Sequence, residues 1–147
     1  MSAYCSKSDL ELAVGGAAVL VRLLDKDRNG VADANLIDAC LTKATSEADC
    51  ALQIRHQLPL QELPAILTTH VAALAAYYAH QMGTDGQGVP DRHVQAAADA
   101  RTFFDQLAEG HRTIGIPHKP ATDQDVRQIN TDPYGDRVTR RSLKGFW

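Results

Sequence analysis

An all-α fold, a small bundle of about four to five helices with an extended C-terminal arm, is predicted by three features of the sequence. Apolar residues recur at helical spacing in separate stretches of residues 1–116, and proline and glycine stand where helices begin and end. Within Leu63–Gly83 no Asp, Glu, Lys or Arg occurs between Ala65 and Met82, so that helix has no charged outer face and is expected between neighbouring helices or subunits. Beyond Ile116 the periodicity stops. At 147 residues and 16.0 kDa, with 44% hydrophobic residues, the chain suits one soluble domain with a single core.

The first helical signal is SDLELAVGG, where Ser8 is placed to cap and Glu11 to complete a capping box. Gly15 and Gly16 then interrupt the pattern, and AAVLVRLLD resumes it with Val19, Leu20, Leu23 and Leu24 apolar. Two short helices with a kink are expected. One longer helix that absorbs the pair is the alternative, at about 1 kcal/mol per glycine relative to alanine.

The segment DKDRNGVAD matches the first half of a calcium-binding EF-hand loop. Asp25, Asp27 and Asn29 supply alternating oxygens, Gly30 makes the turn, and Asp33 falls at the ninth position. The twelfth position, where a bidentate glutamate closes the coordination sphere, is Leu36. These four residues are therefore weak metal candidates. The expected structure is a DRNG turn with Asp33 as N-cap of the next helix.

From Ala34 to about His56 an amphipathic helix is predicted, its buried face formed by Ile37, Cys40, Leu41, Ala44, Ala48, Ala51 and Leu52. Arg55 closes that stripe and is expected to reach toward the helix C-terminus, where a cation is favoured. HQLPLQELP breaks the helix, with Leu58 and Leu60 stapled over the core. In the central helix, Leu63, Leu67, Val71, Leu74, Tyr77 and Tyr78 share one stripe. Pro64 suits the first turn, and Gly83 suits a left-handed stop.

TDGQGVP lacks the lysine and spacing of a phosphate-binding loop and reads as a turn. Pro90 opens a last helix with Val94, Ala97, Ala100, Phe104 and Leu107 on one face and Gly110 as its stop. Phe103 points off that face, toward an interface or toward the segment Ile114 to Ile116. The remainder, with Pro117, Pro120 and Pro133, holds too few apolar residues for a core of its own. It ends in a basic and aromatic tip, Arg137, Arg140, Arg141, Lys144, Phe146 and Trp147, a composition suited to a partner's pocket. The division is a body over 1–116 and an arm over 117–147.

Charge follows the same division. The net charge of −3 excludes a globally basic nucleic-acid binder. Residues 118–147 nevertheless carry six Lys and Arg against four Asp, which leaves the body acidic. Cys5, Cys40 and Cys50 are odd in number and show no CxxC spacing, so reduced thiols are expected. The N-terminus lacks a secretory signal pattern, and the apolar run Val71 to Tyr78 is too short for a membrane span, which leads to an expectation of cytosolic synthesis. His56, His70, His80, His93, His111 and His118 show no metal-binding spacing, and no GxSxG or Cys-His signature appears. His70 borders an apolar stripe and is expected to be a hydrogen-bonded core residue. No cofactor is called for, and an enzyme is the weaker class.

The order of these features carries a resemblance. A start YCSKSDLELAVG, the turn DKDRNGVAD, a helix running into ATSEADCALQIRHQLPL, a proline-started helix with AAYYAH, and an ending LAEGHRTIGI resemble a family of Mu-like phage and prophage proteins over most of residues 4–116. That family lies among the virion genes and looks like the head-to-tail connector, or adaptor, proteins that complete the heads of long-tailed phages. The resemblance implies a structural virion protein, made in the host bacterial cytoplasm and located in the neck of the particle. It implies a ring of about twelve copies between portal and tail. The arm would engage the portal protein, neighbouring copies would touch, and a further neck or tail-completion protein would follow. DNA would pass through the lumen without specific binding, and no membrane is involved. The competing readings are a calcium-responsive module built on Asp25–Asp33 and a small helical enzyme.

Overall fold

The computed structural model describes residues 3–83 and 85–120, and over them the chain is all-α, with no strand among the described residues. The helices are α1 (Lys7–Val14), α2 (Ala17–Leu24), α3 (Ala34–Leu52), α4 (Ala65–Met82) and α5 (Asp91–Glu109). The charge-free α4 is the central element and touches each of the other four. Helices α3 and α5 also meet each other, and α1 and α2 pack together beside α4. No helix among the described residues is long and apolar enough to cross a membrane.

Central placement follows from composition. Leu67, Val71, Leu74, Ala75, Ala76 and Ala79 of α4 are all fully shielded. The alanines permit neighbouring backbones to approach, while the larger residues fill the space between helices. Burying each large apolar side chain contributes roughly 1.5–3 kcal/mol. Pro64 is the N-cap, one step before the first turn where the sequence pattern placed it. Gly83 is a larger correction, because its φ of −58° and ψ of 144° are not left-handed. Its lack of a side chain serves close packing: a Cβ there would lie 3.2 Å from both the His80 carbonyl and the Leu23 side chain.

α1 begins earlier than the Ser8 and Glu11 pattern suggests. Ser6 is the N-cap, and Asp9 completes the capping box, accepting from the Ser6 N–H at 2.7 Å. The chain ahead of it is pinned, since Tyr4 and Cys5 are buried and the Tyr4 hydroxyl donates to Asp49 of α3. Glu11 instead faces Lys7 at 3.7 Å. The expected break holds: Gly15 and Gly16 have φ of 107° and 122°, a region that side-chain-bearing residues rarely adopt.

The expected buried face of α3 is present, with Thr45 added and Ala51 only partly covered. The helix ends at Leu52, short of His56, whose N–H still reaches the Leu52 carbonyl. In α5, Ala97, Ala100, Phe104 and Leu107 are buried as expected, but Val94 is 45% exposed and Phe103 is buried. Phe103 stacks on His70 of α4 with ring centroids 4.1 Å apart, and the Arg112 guanidinium lies 5.5 Å from its centroid. Packing against α4 and the chain after α5 thus broadens the buried face beyond the stripe that periodicity selects. His70 is correspondingly a stacked residue, and burial lowers its pKa.

Candidate interaction surface at the root of the C-terminal segment

Two adjacent residues after α3 fasten the chain that follows α5. Arg55 donates from Nε to the Ala108 carbonyl and from Nη2 to the Glu109 carbonyl, each at 2.8 Å. Terminal helix carbonyls have no intrahelical partner and carry partial negative charge, so a guanidinium satisfies both needs. The sequence pattern directed Arg55 toward the end of its own helix, whereas it serves the end of α5. Its backbone carbonyl accepts the Lys119 N–H at 2.7 Å. His56 is 2% exposed, and its Nδ1 lies 3.3 Å from the Pro117 carbonyl. A carbonyl can only accept, so Nδ1 carries the proton. The His56 ring also stacks on His118 at 5.1 Å. Residues 117–119, which the loss of periodicity assigns to the arm, are therefore held on the body.

Beside this root lies an open groove of about 740 Å³, lined by Gln57–Glu62 on one side and Ile116–Lys119 on the other. Leu58 and Leu60 pack partly on the core, as the staple reading expects, and leave part of their surface to the groove. Ile54 after α3 and Leu63 and Ile66 at the start of α4 are three of the six large apolar side chains most exposed among the described residues.

The acidic loop is arranged differently. Asp25 accepts from the Asn29 N–H at 3.0 Å and from the Gly30 N–H at 2.8 Å, and the Asn29 side chain accepts from Val31. Asp33 caps α3 through the Asn35 N–H, as expected. Three of the four candidate ligands thus direct oxygens to backbone donors and form a turn. No group of three or more His, Cys, Asp or Glu side chains that could hold a metal occurs among the described residues.

Tertiary structure also assembles pairs that no sequence spacing signals. His80 at the end of α4 and His93 at the start of α5 lie 4.4 Å apart between ring centroids, both 6% exposed. Burial first, and then neighbouring positive charge, lowers the pKa of each. On the α3–α4–α5 face, Glu47 accepts from Arg101 at 2.6 Å and from the Tyr78 hydroxyl at 2.7 Å. The hydrogen bond to Glu47 raises the Arg101 pKa, and burial followed by the Glu47 hydrogen bond raises that of Tyr78. This is a clamp across three helices.

The tip residues Arg137, Arg140, Arg141, Lys144, Phe146 and Trp147 lie outside the described residues. What the fold and the surface define is a small helical bundle whose residues 117–119 are fastened to the body beside a groove with apolar residues on both walls. The chain belongs to the bacteriophage protein family described as Bacteriophage Mu, Gp36, whose model matches residues 4–131. The match includes the root and continues past it, but stops before Arg137. No curated protein matches the chain.

Proposed function

We propose that this phage protein is a structural component of the virion, a head-tail connector that forms a ring between the portal and the tail. The observation that carries the reading is the fastened root at Arg55 and His56. An arm that leaves every copy of a ring at the same place presents its tip in register to a symmetric partner. The basic, aromatic tip suits a portal groove with an acidic rim and an apolar pocket. The acidic body repels phosphates, so DNA crosses the lumen without adhering. Neighbouring copies and the next neck or tail-completion protein bind the remaining surfaces. Templating on the portal raises the effective concentration of subunits, so modest contacts between copies suffice.

The test is a pull-down with the portal protein of the same phage. The full chain binds, and a chain lacking residues 137–147 does not. Undiminished binding by the truncated chain removes the tip from the interface. Electron micrographs of purified necks in which a labelled copy of this chain is missing from the ring between portal and tail overturn the connector reading as a whole.

A further inference from the structure

From the position and lining of the groove between Gln57–Glu62 and Ile116–Lys119, we infer that it is the seat of this chain's own terminal residues Leu143, Phe146 and Trp147 while the subunit is free. The tip is held on the body until a partner takes it. Only that release rests on the connector reading; the docking itself does not.

Three observations identify the occupant. Leu58, Pro59 and Leu60 form one apolar wall, and Ile116 and Pro117 form the other. The volume of about 740 Å³ falls within the range of roughly 300–1,000 Å³ typical of ligand sites, enough for a pair of aromatic side chains. The second observation is where the remaining chain starts and stops. Residues 120–147 depart from the groove wall itself, at Lys119, and three of the last five residues of the sequence are large and apolar. At about 3.3 Å per extended residue the segment is long enough to turn back onto its own root. The third is the charge on the loop wall alone. Glu62 supplies a carboxylate there, opposite Lys119 on the facing wall, and the tip carries Arg140, Arg141 and Lys144 next to its aromatic residues.

The same chain is favoured over a second copy by concentration. A tethered tip samples its own groove at an effective concentration on the order of millimolar, well above that of separate subunits in dilute solution. Closure in the free subunit keeps the apolar tip out of solvent and away from other chains. Release then couples to binding, because a portal site competes with the groove for the same side chains.

The experiment uses the full chain and its single tryptophan, Trp147. Tryptophan emission in native buffer is expected to be blue-shifted from that of the urea-unfolded chain and severalfold less quenched by acrylamide. Glu62→Lys and, separately, Ile116→Asp are expected to return emission and quenching toward the unfolded values with the helical circular dichroism unchanged. Glu62 is exposed, so its replacement spares the core. Emission of a fully exposed tryptophan in the parent, or shielding that neither variant alters, overturns the groove as the seat. Shielding that grows with protein concentration overturns closure within one chain and assigns the groove to a second copy. Portal binding is scored separately: a docked tip that never binds portal defeats the connector reading alone, and portal binding by a tip that never docks defeats this inference alone.

Discussion

The guanidinium of Arg55 occupies the space where a side chain at Gly110 would begin. A Cβ built on Gly110 would lie 2.5 Å from the Arg55 Cζ and 2.6 Å and 2.7 Å from its terminal nitrogens. Gly110 also has φ of 83°, so its backbone conformation and its missing side chain answer two separate requirements. The end of α5 and the turn after α3 are thereby locked together at the point where the terminal segment departs.

Gly110→Ala is expected to destabilise the protein by about 1–3 kcal/mol, since it adds left-handed strain to a clash with the guanidinium. In an Arg55→Ala background the same substitution costs less, because only the strain remains. Urea unfolding of the two single variants and the double variant measures the difference. Equal costs in both backgrounds contradict the contact.

Leu74→Ala removes a fully buried side chain from α4, which touches every other helix. The expected loss is about 2–5 kcal/mol, the sum of transfer and cavity contributions. Chemical denaturation in which the variant matches the parent contradicts the central position of α4.

His70, His80 and His93 all have pKa values lowered in the fold, first of all by burial. Unfolded imidazoles titrate near about 6.5, so in the window below that value the unfolded chain binds more protons than the folded one. Stability from these groups is complete above pH ~6.5 and falls as the pH drops through it toward the lower folded values. Urea midpoints should therefore decline from neutral pH to mildly acidic pH. The slope should flatten in His93→Gln, which removes one member of the buried pair. A midpoint that rises on acidification refutes the assignment.

Of the three cysteines, Cys5 and Cys40 are buried, and burial pushes each thiol up to about 11, whereas Cys50 is exposed. The thiolate is the reactive form. At neutral pH the folded protein should react with one equivalent of a thiol reagent, at Cys50, and the unfolded protein with three. Rapid modification of Cys40 in the native state would show that the α3–α4 packing opens readily.

How far the sequence reaches is visible in α4 and α5. The charge-free run of α4 marked it as central, because no outer face could be assigned to it, and the structure places it there. In α5 the stripe through Ala97, Ala100, Phe104 and Leu107 was recognisable, yet Val94 is exposed and Phe103, set off that stripe, is buried. A helical period reports the direction in which a side chain points. How wide the covered sector is depends on neighbours, here His70 of α4 and Arg112 after α5. The groove was only half legible, since Leu58 and Leu60 announced a staple but nothing announced Ile116–Lys119 as the facing wall.

By itself the sequence determined the all-α class, the break at Gly15 and Gly16, the Asp33 cap, the stop at Gly110 and the order of features that carries the phage family. These are local properties, set by backbone conformations a residue permits and by apolar spacing along a few turns. Only the tertiary structure decided that Arg55 closes α5, that His56 holds Pro117, that His80 meets His93 and that Glu47 joins Arg101 and Tyr78. Each of those pairs lies on different elements. Their contact depends on how helices pack in space, a quantity that hydrophobic period leaves open because many neighbours can cover the same apolar stripe.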